Sequence, residues 1–278
     1  MNESQAAPQP AESTDEELHR LRAEITAVKA ELQETRQSTS QYLQNVAHQL
    51  TAPLNAIKWS IEAIKDEQVT IPRKLKLLSS IYSQGTILVH LIKNFSLMSN
   101  FRSDDELGQL RQQTERIEMS RLAINLSNDF QPQAAEGGKK IIVDGASFEL
   151  MLGGKSVLAI KNLIAQALSN LLENAVKYAD LNTTIAIEAN SALIAPNTKP
   201  MHGIAVRSIG LSISSDEIKH LQSRAFRGKA AKQKIPAGTG IGLYIAKRIM
   251  DMHQGMIFIQ TRGKESTFTL LFPESRIK

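Results

Sequence analysis

Apolar positions in the first hundred residues recur three and four apart, the period of a helix with one buried face. Leu18, Leu21, Ile25, Val28 and Leu32 form a short coiled-coil seam behind Thr14 and Glu17, which have the spacing of a capping box. Leu43, Val46, Leu50, Leu54, Ile57, Ile61 and Ile64 extend the stripe to a break around Gln68 to Pro72. A second amphipathic helix is predicted from about Arg73 to Arg102, with Leu75, Leu78, Tyr82, Leu88, Ile92, Phe95 and Met98 toward one face. Two long helices joined by a turn make an antiparallel hairpin whose stripes are too wide for one partner to cover. The pattern therefore predicts that two hairpins pair into a homodimeric four-helix bundle, with the stripe residues and Trp59 in its core.

Beyond the charged link at Ser103 to Glu106, short apolar runs alternate with Gly, Asn and Pro. Leu122 to Phe130, Val157 to Tyr178 and Ile241 to Met252 read as helices. Ile141 to Val143, Ile185 to Glu188 and Ile204 to Val206 read as strands, and Met256 to Thr261 with Thr267 to Phe272 as a closing hairpin. This order predicts an α/β sandwich, helices lying on one face of a mixed sheet, so the fold class of the whole chain is α+β. The expected divisions are a disordered segment at 1–13, a short coiled-coil helix at 14–37, a helical hairpin at 38–103 and the α/β sandwich domain at 107–278.

Composition narrows the choices. With 278 residues and 42% apolar content, the chain can bury a core in at least one of two modest domains. The absence of cysteine excludes disulfides and thiolate metal sites. The net charge of +5 is not gathered into a stripe with interleaved aromatics, so no nucleic-acid partner is expected. Its densest cluster, Arg224, Arg227, Lys229, Lys232 and Lys234, directly precedes a glycine run and reads as a loop closing over phosphates. No apolar leader and no membrane span are evident, and a cytoplasmic location is expected.

Gly238, Gly240 and Gly242 open a helix, where missing β-carbons let backbone N–H groups approach an anion that the helix dipole also favours. A P-loop string is absent, and no βαβ pattern precedes the glycines to suggest a dinucleotide fold. Asn170 and Asn174 lie one helical turn apart, with Lys177 on the next turn. The carboxamide oxygen of Asn174 suits Mg²⁺, which keeps water and phosphate oxygens as its other ligands, and Lys177 suits a phosphate. Upstream, His48 stands five residues before Pro53, a residue without a helical N–H, predicted to loosen the turn that carries the histidine.

These strings, in this order, resemble the sensor histidine kinases of two-component systems, with a Bergerat-type ATP-binding domain. HQLTAPL resembles the family's H-box, NLLENAVKY its N-box, Ala225-Phe226-Arg227-Gly228 its F-box and GTGIGL its G2-box, over about residues 38 to 274. The resemblance implies that His48 accepts a phosphoryl group from ATP, with Gln49 beside it. It implies that Asn174 binds Mg²⁺, that Asn170 and Lys177 face phosphates, that Tyr178 borders the adenine and that Phe226 anchors a lid. Ser208, Gly210, Arg227, Gly238, Thr239, Gly240 and Gly242 would complete the nucleotide site. It further implies a homodimer, an aspartate on a separate response regulator as phosphoryl acceptor, and an upstream sensor outside this chain.

Three positions depart from the family pattern. Ser208 replaces the usual adenine-binding aspartate and Ser212 a usual glycine. Charged hydrogen bonds contribute about 1.5 to 3 kcal/mol against about 1 for neutral ones, so adenine affinity is expected to fall by roughly an order of magnitude or more. Gln49 replaces an acid beside His48; it can hold the imidazole tautomer but cannot neutralise developing charge, which predicts slower transfer. Ala52 lacks the polar group that would orient water for dephosphorylating a partner, which predicts little phosphatase activity. Two other functions share these strings: a non-enzymatic phosphotransfer or scaffold protein, and a gyrase- or chaperone-type ATP hydrolase. The hydrolase needs a glutamate one turn before Asn174, where this chain has Asn170, and an amide is no base. Glu173 is read as solvated on a different helix face.

Overall fold

The computed structural model describes residues 14–100, 113–152, 156–195, 199–236 and 238–278. Residues 1–13 and the link at Ser103 to Glu106 lie outside the described residues, as do the side chains of Thr14 and Glu17.

Helix α1 spans Thr14–Ile64 and helix α2 spans Ile71–Asn100. α1 continues through Pro53, so the expected loosening does not break the helix. What the proline ring removes is one N–H, the helical donor to the carbonyl of Gln49. α2 begins earlier than the sequence suggested, because Pro72 falls in its first turn, where a missing N–H costs nothing.

Contacts divide the chain into Met1–Asn45 and Val46–Lys278. In the first unit Leu18, Leu21, Ile25, Val28 and Leu32 are all exposed. In the second, the hairpin helices bury Pro53, Ser60, Ser83, His90 and Met98. The stripe expected to form a core stands outward in the single chain: Trp59, Leu54, Leu75, Leu78, Tyr82 and Ile92 are exposed, Trp59 by 68%. A stripe this wide finds no cover within its own hairpin.

The α/β part begins with strand β1 (Glu115–Ile117) and helix α3 (Met119–Glu136). Strand β2 (Lys140–Val143), helix α4 (Gly145–Leu152), strand β3 (Val157–Ala159) and helix α5 (Lys161–Tyr178) follow. Next come β4 (Thr184–Ala192), β5 (Met201–Ile209) and two short helices, α6 (Ser215–His220) and α7 (Lys229–Lys234). Helix α8 (Gly242–Met252) and strands β6 (Met256–Arg262) and β7 (Glu265–Phe272) complete the order.

Five strands form a mixed sheet in the order β2-β4-β5-β7-β6, in which only β2 and β4 run parallel. Helices α3, α5 and α8 pack on one another and on this sheet. The shared core holds Leu168 and Leu172 of α5, Ile245 and Ile249 of α8, and Ile185, Ile187, Ile204 and Leu270 of the strands, all fully buried. β1 and β3 form a separate antiparallel pair, with Ile117 opposite Val157.

The sequence predicted one helix from Val157 to Tyr178, but the first three residues form β3. Val157 and Ala159 are buried on either side of half-buried Leu158, the two-residue alternation of a strand. The next N–H, that of Ile160, is then taken by Nε2 of buried His253 at 3.0 Å, which sets where the helix starts. β1, α4, α6 and α7 were not anticipated. No helix among the described residues is long and apolar enough to cross a membrane.

Candidate functional site

α5 presents its polar residues to a cavity because Leu163, Ile164, Ala167, Leu168, Leu171, Leu172 and Ala175 are drawn into the core. Asn174, Lys177 and Tyr178 line that cavity. So does Glu173, which was expected to be solvated: it is buried, and its Oε1 lies 2.5 Å from Nζ of Lys177 one turn later. The ammonium partner is what allows a carboxylate there.

Asn170 is 1% exposed and does not line the cavity. Its Oδ1 accepts from Nδ2 of Asn94 on α2 at 2.8 Å, and its own Nδ2 has no partner. Asn94 itself lines the cavity, as does Leu91.

The floor comes from the sheet. Val206 and Ser208 of β5 stand directly opposite Phe268 and Ser266 of β7, so all four side chains point to one face, and all four line the cavity. Gly210 follows, where a β-carbon would lie 2.2 Å from the carbonyl oxygen of Tyr178; only glycine permits that approach.

A lid of α6, α7 and their connections faces the floor. Ser214 and Glu217 form a reciprocal capping box at the start of α6. The N–H of Ser214, then that of Lys229, hold the Glu217 carboxyl below the usual carboxylate range. Phe226 lines the cavity and lies 5.7 Å from the ring of His220, which ties it to α6. Two members of the basic cluster, Arg227 and Lys234, are engaged by protein groups. Arg227 donates to the carbonyls of Pro236 at 2.8 Å, Ala231 at 3.1 Å, Ile235 and Gly238, and to the Tyr178 hydroxyl at 3.4 Å. Lys234 donates to the carbonyls of Tyr178 at 2.9 Å and Ala179 at 3.2 Å, closing the last turn of α5.

The glycine turn completes the wall. Gly240 has φ of +67°, a conformation that favours glycine, and a β-carbon there would lie 2.6 Å from the carbonyl oxygen of Phe226. With its carboxamide turned so that both ends are satisfied, Gln49 of α1 accepts from the N–H of Thr239 at 2.9 Å and of Gly238 at 3.1 Å. These are the donors an anion would use.

The structure thus gathers Gln49, Asn174, Lys177, Tyr178, Ser208, Gly210, Phe226, Arg227, Gly238, Thr239, Gly240 and Gly242 around one cavity. Asn170 sits behind Asn94, and His48 is exposed on α1 and does not line the cavity. The residues fit a nucleotide: an apolar strip edged by hydroxyls at the floor, and at the other end the N–H groups of Gly238 and Thr239 with the Asn174 carboxamide and the Lys177 ammonium. No cluster of three His, Cys, Asp or Glu able to hold a metal occurs among the described residues. A divalent ion would have the Asn174 carboxamide and oxygens from water and phosphate.

Residues 38–104 match the family described as His Kinase A (phospho-acceptor) domain, and residues 159–276 match Histidine kinase-, DNA gyrase B-, and HSP90-like ATPase. The phosphate regulon sensor protein PhoR of Pseudomonas aeruginosa is 26% identical over 243 residues, covering 87% of this chain and 51% of that protein. The sensor protein IrlS of Burkholderia pseudomallei is 26% identical over 269 residues, covering 96% of this chain and 54% of its own length. The chain belongs to the sensor histidine kinases of two-component systems. Full-length ShkA, solved in complex with AMPPNP, is 16% identical with a TM-score of 0.50, covers 84% of this chain and 45% of its own, and shares the fold. The chain spans about half the length of the curated relatives it matches. The ATPase match implies that this histidine kinase chain binds ATP.

Proposed function

We propose that this chain is a protein histidine kinase that takes the terminal phosphoryl group of ATP onto His48 and passes it to an aspartate of a separate response regulator. Residues 38–103 act as the dimerising phosphotransfer hairpin and 107–278 as the ATP-binding domain, with the protein working in the cytoplasm. The observation that carries this reading is the contact of Gln49 with the N–H groups of Gly238 and Thr239, which brings the residue next to His48 to the phosphate end of the cavity.

The floor strip of Val206 and Phe268 receives the base, with Ser208 and Ser266 at its polar edge and Tyr178 at the rim. Phosphates take the N–H groups of the glycine turn, with Asn94 and Lys177 at the same wall of the cavity. Mg²⁺ would be held by Asn174 and would neutralise charge on the phosphate oxygens. In the transfer, a lone pair on one ring nitrogen of His48 forms the N–P bond while the bond from the γ-phosphorus to its bridging oxygen breaks. ADP leaves with that electron pair, and the ring loses its proton to water. His48 is exposed, as an acceptor that must meet both ATP and a regulator has to be. The outward stripe of Trp59, Leu75, Leu78 and Ile92 supports a second hairpin packed against the first.

Ser208 favours a second reading, a histidine phosphotransfer or scaffold protein without useful ATP binding, since a hydroxyl stands where a carboxylate would grip the base. Incubation with γ-labelled ATP separates the two. The kinase reading expects label on the wild type, stable to base and lost in His48→Ala. Label that appears only when a donor kinase or phosphorylated regulator is added overturns it.

A further inference from the structure

The hairpin supplies two carboxamides to the phosphate end of the cavity, from two different helices. Gln49 of α1 occupies the N–H pair of Gly238 and Thr239. Asn94 of α2 donates to Asn170 and accepts from Nε2 of Gln166 at 2.9 Å, and that amide also reaches the carbonyl of His90 at 3.5 Å. Gln166 and Asn170 are 3% and 1% exposed, so this amide chain is shielded from water and its geometry matters. The chain ends in the Asn170 Nδ2, which has no acceptor among the described residues.

All these residues belong to one chain and one unit. On this basis, and resting on the reading that His48 is phosphorylated from ATP in this cavity, we infer that Gln49 and Asn94 are positioning residues. They seat the hairpin on the phosphate end of its own chain, so that phosphoryl transfer to His48 is intramolecular. Gln49 suits the task because its carbonyl is neutral: a phosphate displaces it from the glycine turn more readily than it would displace a carboxylate. Once displaced, Gln49 leaves its neighbour His48, about 100° round the helix, beside the loaded turn. Asn94 keeps α2 tied to α5 during the exchange.

Three measurements test this. The chain has no cysteine, so Gln49→Cys combined with Thr239→Cys creates a single reactive pair. A short thiol cross-linker is expected to join the pair within one chain, and AMPPNP to reduce that product severalfold; a product joining two chains overturns the seat. In mixed dimers of His48→Ala with Asn174→Ala, intramolecular transfer expects no label above that of either variant alone, and any labelling above that level overturns it. Asn94→Ala is expected to slow labelling at saturating ATP by tenfold or more while the ATP KM stays within twofold, with Asn94→Gln recovering part of the rate. An unchanged labelling rate in Asn94→Ala removes its positioning role. Wild type that binds ATP but never labels His48 overturns the kinase reading instead, and the cross-link still reports the seat.

Discussion

Ser208 and Ser266 stand directly opposite each other on β5 and β7, both lining the cavity, and neither hydroxyl has a hydrogen-bond partner among the described residues. Two free hydroxyls can donate as well as accept, whereas a carboxylate only accepts and so selects an amino group on the base. Ser208→Asp is therefore expected to tighten ATP about tenfold or more and to widen its preference over GTP. Calorimetric titration of both nucleotides checks this, and equal affinities in wild type and variant would remove Ser208 from base recognition.

Lys177 and Glu173 form an ion pair whose carboxylate side chain is only 10% exposed, the lysine 31%. Removing the lysine leaves a buried charge alone, while removing the carboxylate leaves an ammonium that can turn to water. Lys177→Met should destabilise the protein by about 1 to 3 kcal/mol, and Glu173→Gln by clearly less. Urea denaturation monitored by circular dichroism distinguishes them. Equal losses would show that the pair is not shielded.

Gln49 is more informative in place than in sequence. An acid beside the histidine was expected to speed transfer, yet the side chain meets the glycine turn. Gln49→Glu would put a carboxylate on the two N–H groups that we propose phosphate takes, and charge-assisted bonds are roughly twice as strong as neutral ones. The ATP KM should rise about fivefold or more, measured from initial labelling rates. No change in KM would mean that the turn does not serve both groups.

Period and order made much of the fold legible: α5 from its apolar face, α8 from the glycines before it, β6 and β7 from their alternation. β3 escaped because Val157, Leu158 and Ala159 abut the helix with no turn residue between them, so one apolar run carried two periods. The α5 and glycine-turn residues could be named from their spacing. Asn94 could not, because on α2 it is one polar residue beside Ile92 and Phe95, and its meaning comes only from the helix it meets. Arg227 and Lys234 looked like phosphate ligands by charge; their carbonyl partners lie within the lid and at the end of α5, a relationship made by folding.

His90 should make stability sensitive to mild acid. Its ring stacks 5.0 Å from Phe130 of α3, and burial pushes it below the usual imidazole range. Glu173 on α5 and Asp129 on α3 oppose that shift, while Lys93 on α2 adds to it. Burial lowers His253 as well, the residue that caps the end of α8. A depressed histidine is neutral when folded, so its contribution is complete above the unfolded value of about 6.5 and is lost as pH falls below it. The melting temperature should fall by a few degrees between about pH 7.5 and 5.5, above the carboxylate range, and His90→Phe should flatten that slope. An identical slope in the variant would assign the effect elsewhere.

Gly240 fits only because it has no side chain to strike the carbonyl of Phe226, and a β-carbon on Gly238 would lie 2.8 Å from the guanidinium carbon of Arg227. The two stretches are interlocked like teeth of adjoining gears. Whatever shifts the covering segment to admit or release a guest must carry the anion-binding turn along with it, so amides in both should exchange their hydrogens as a single cooperative block.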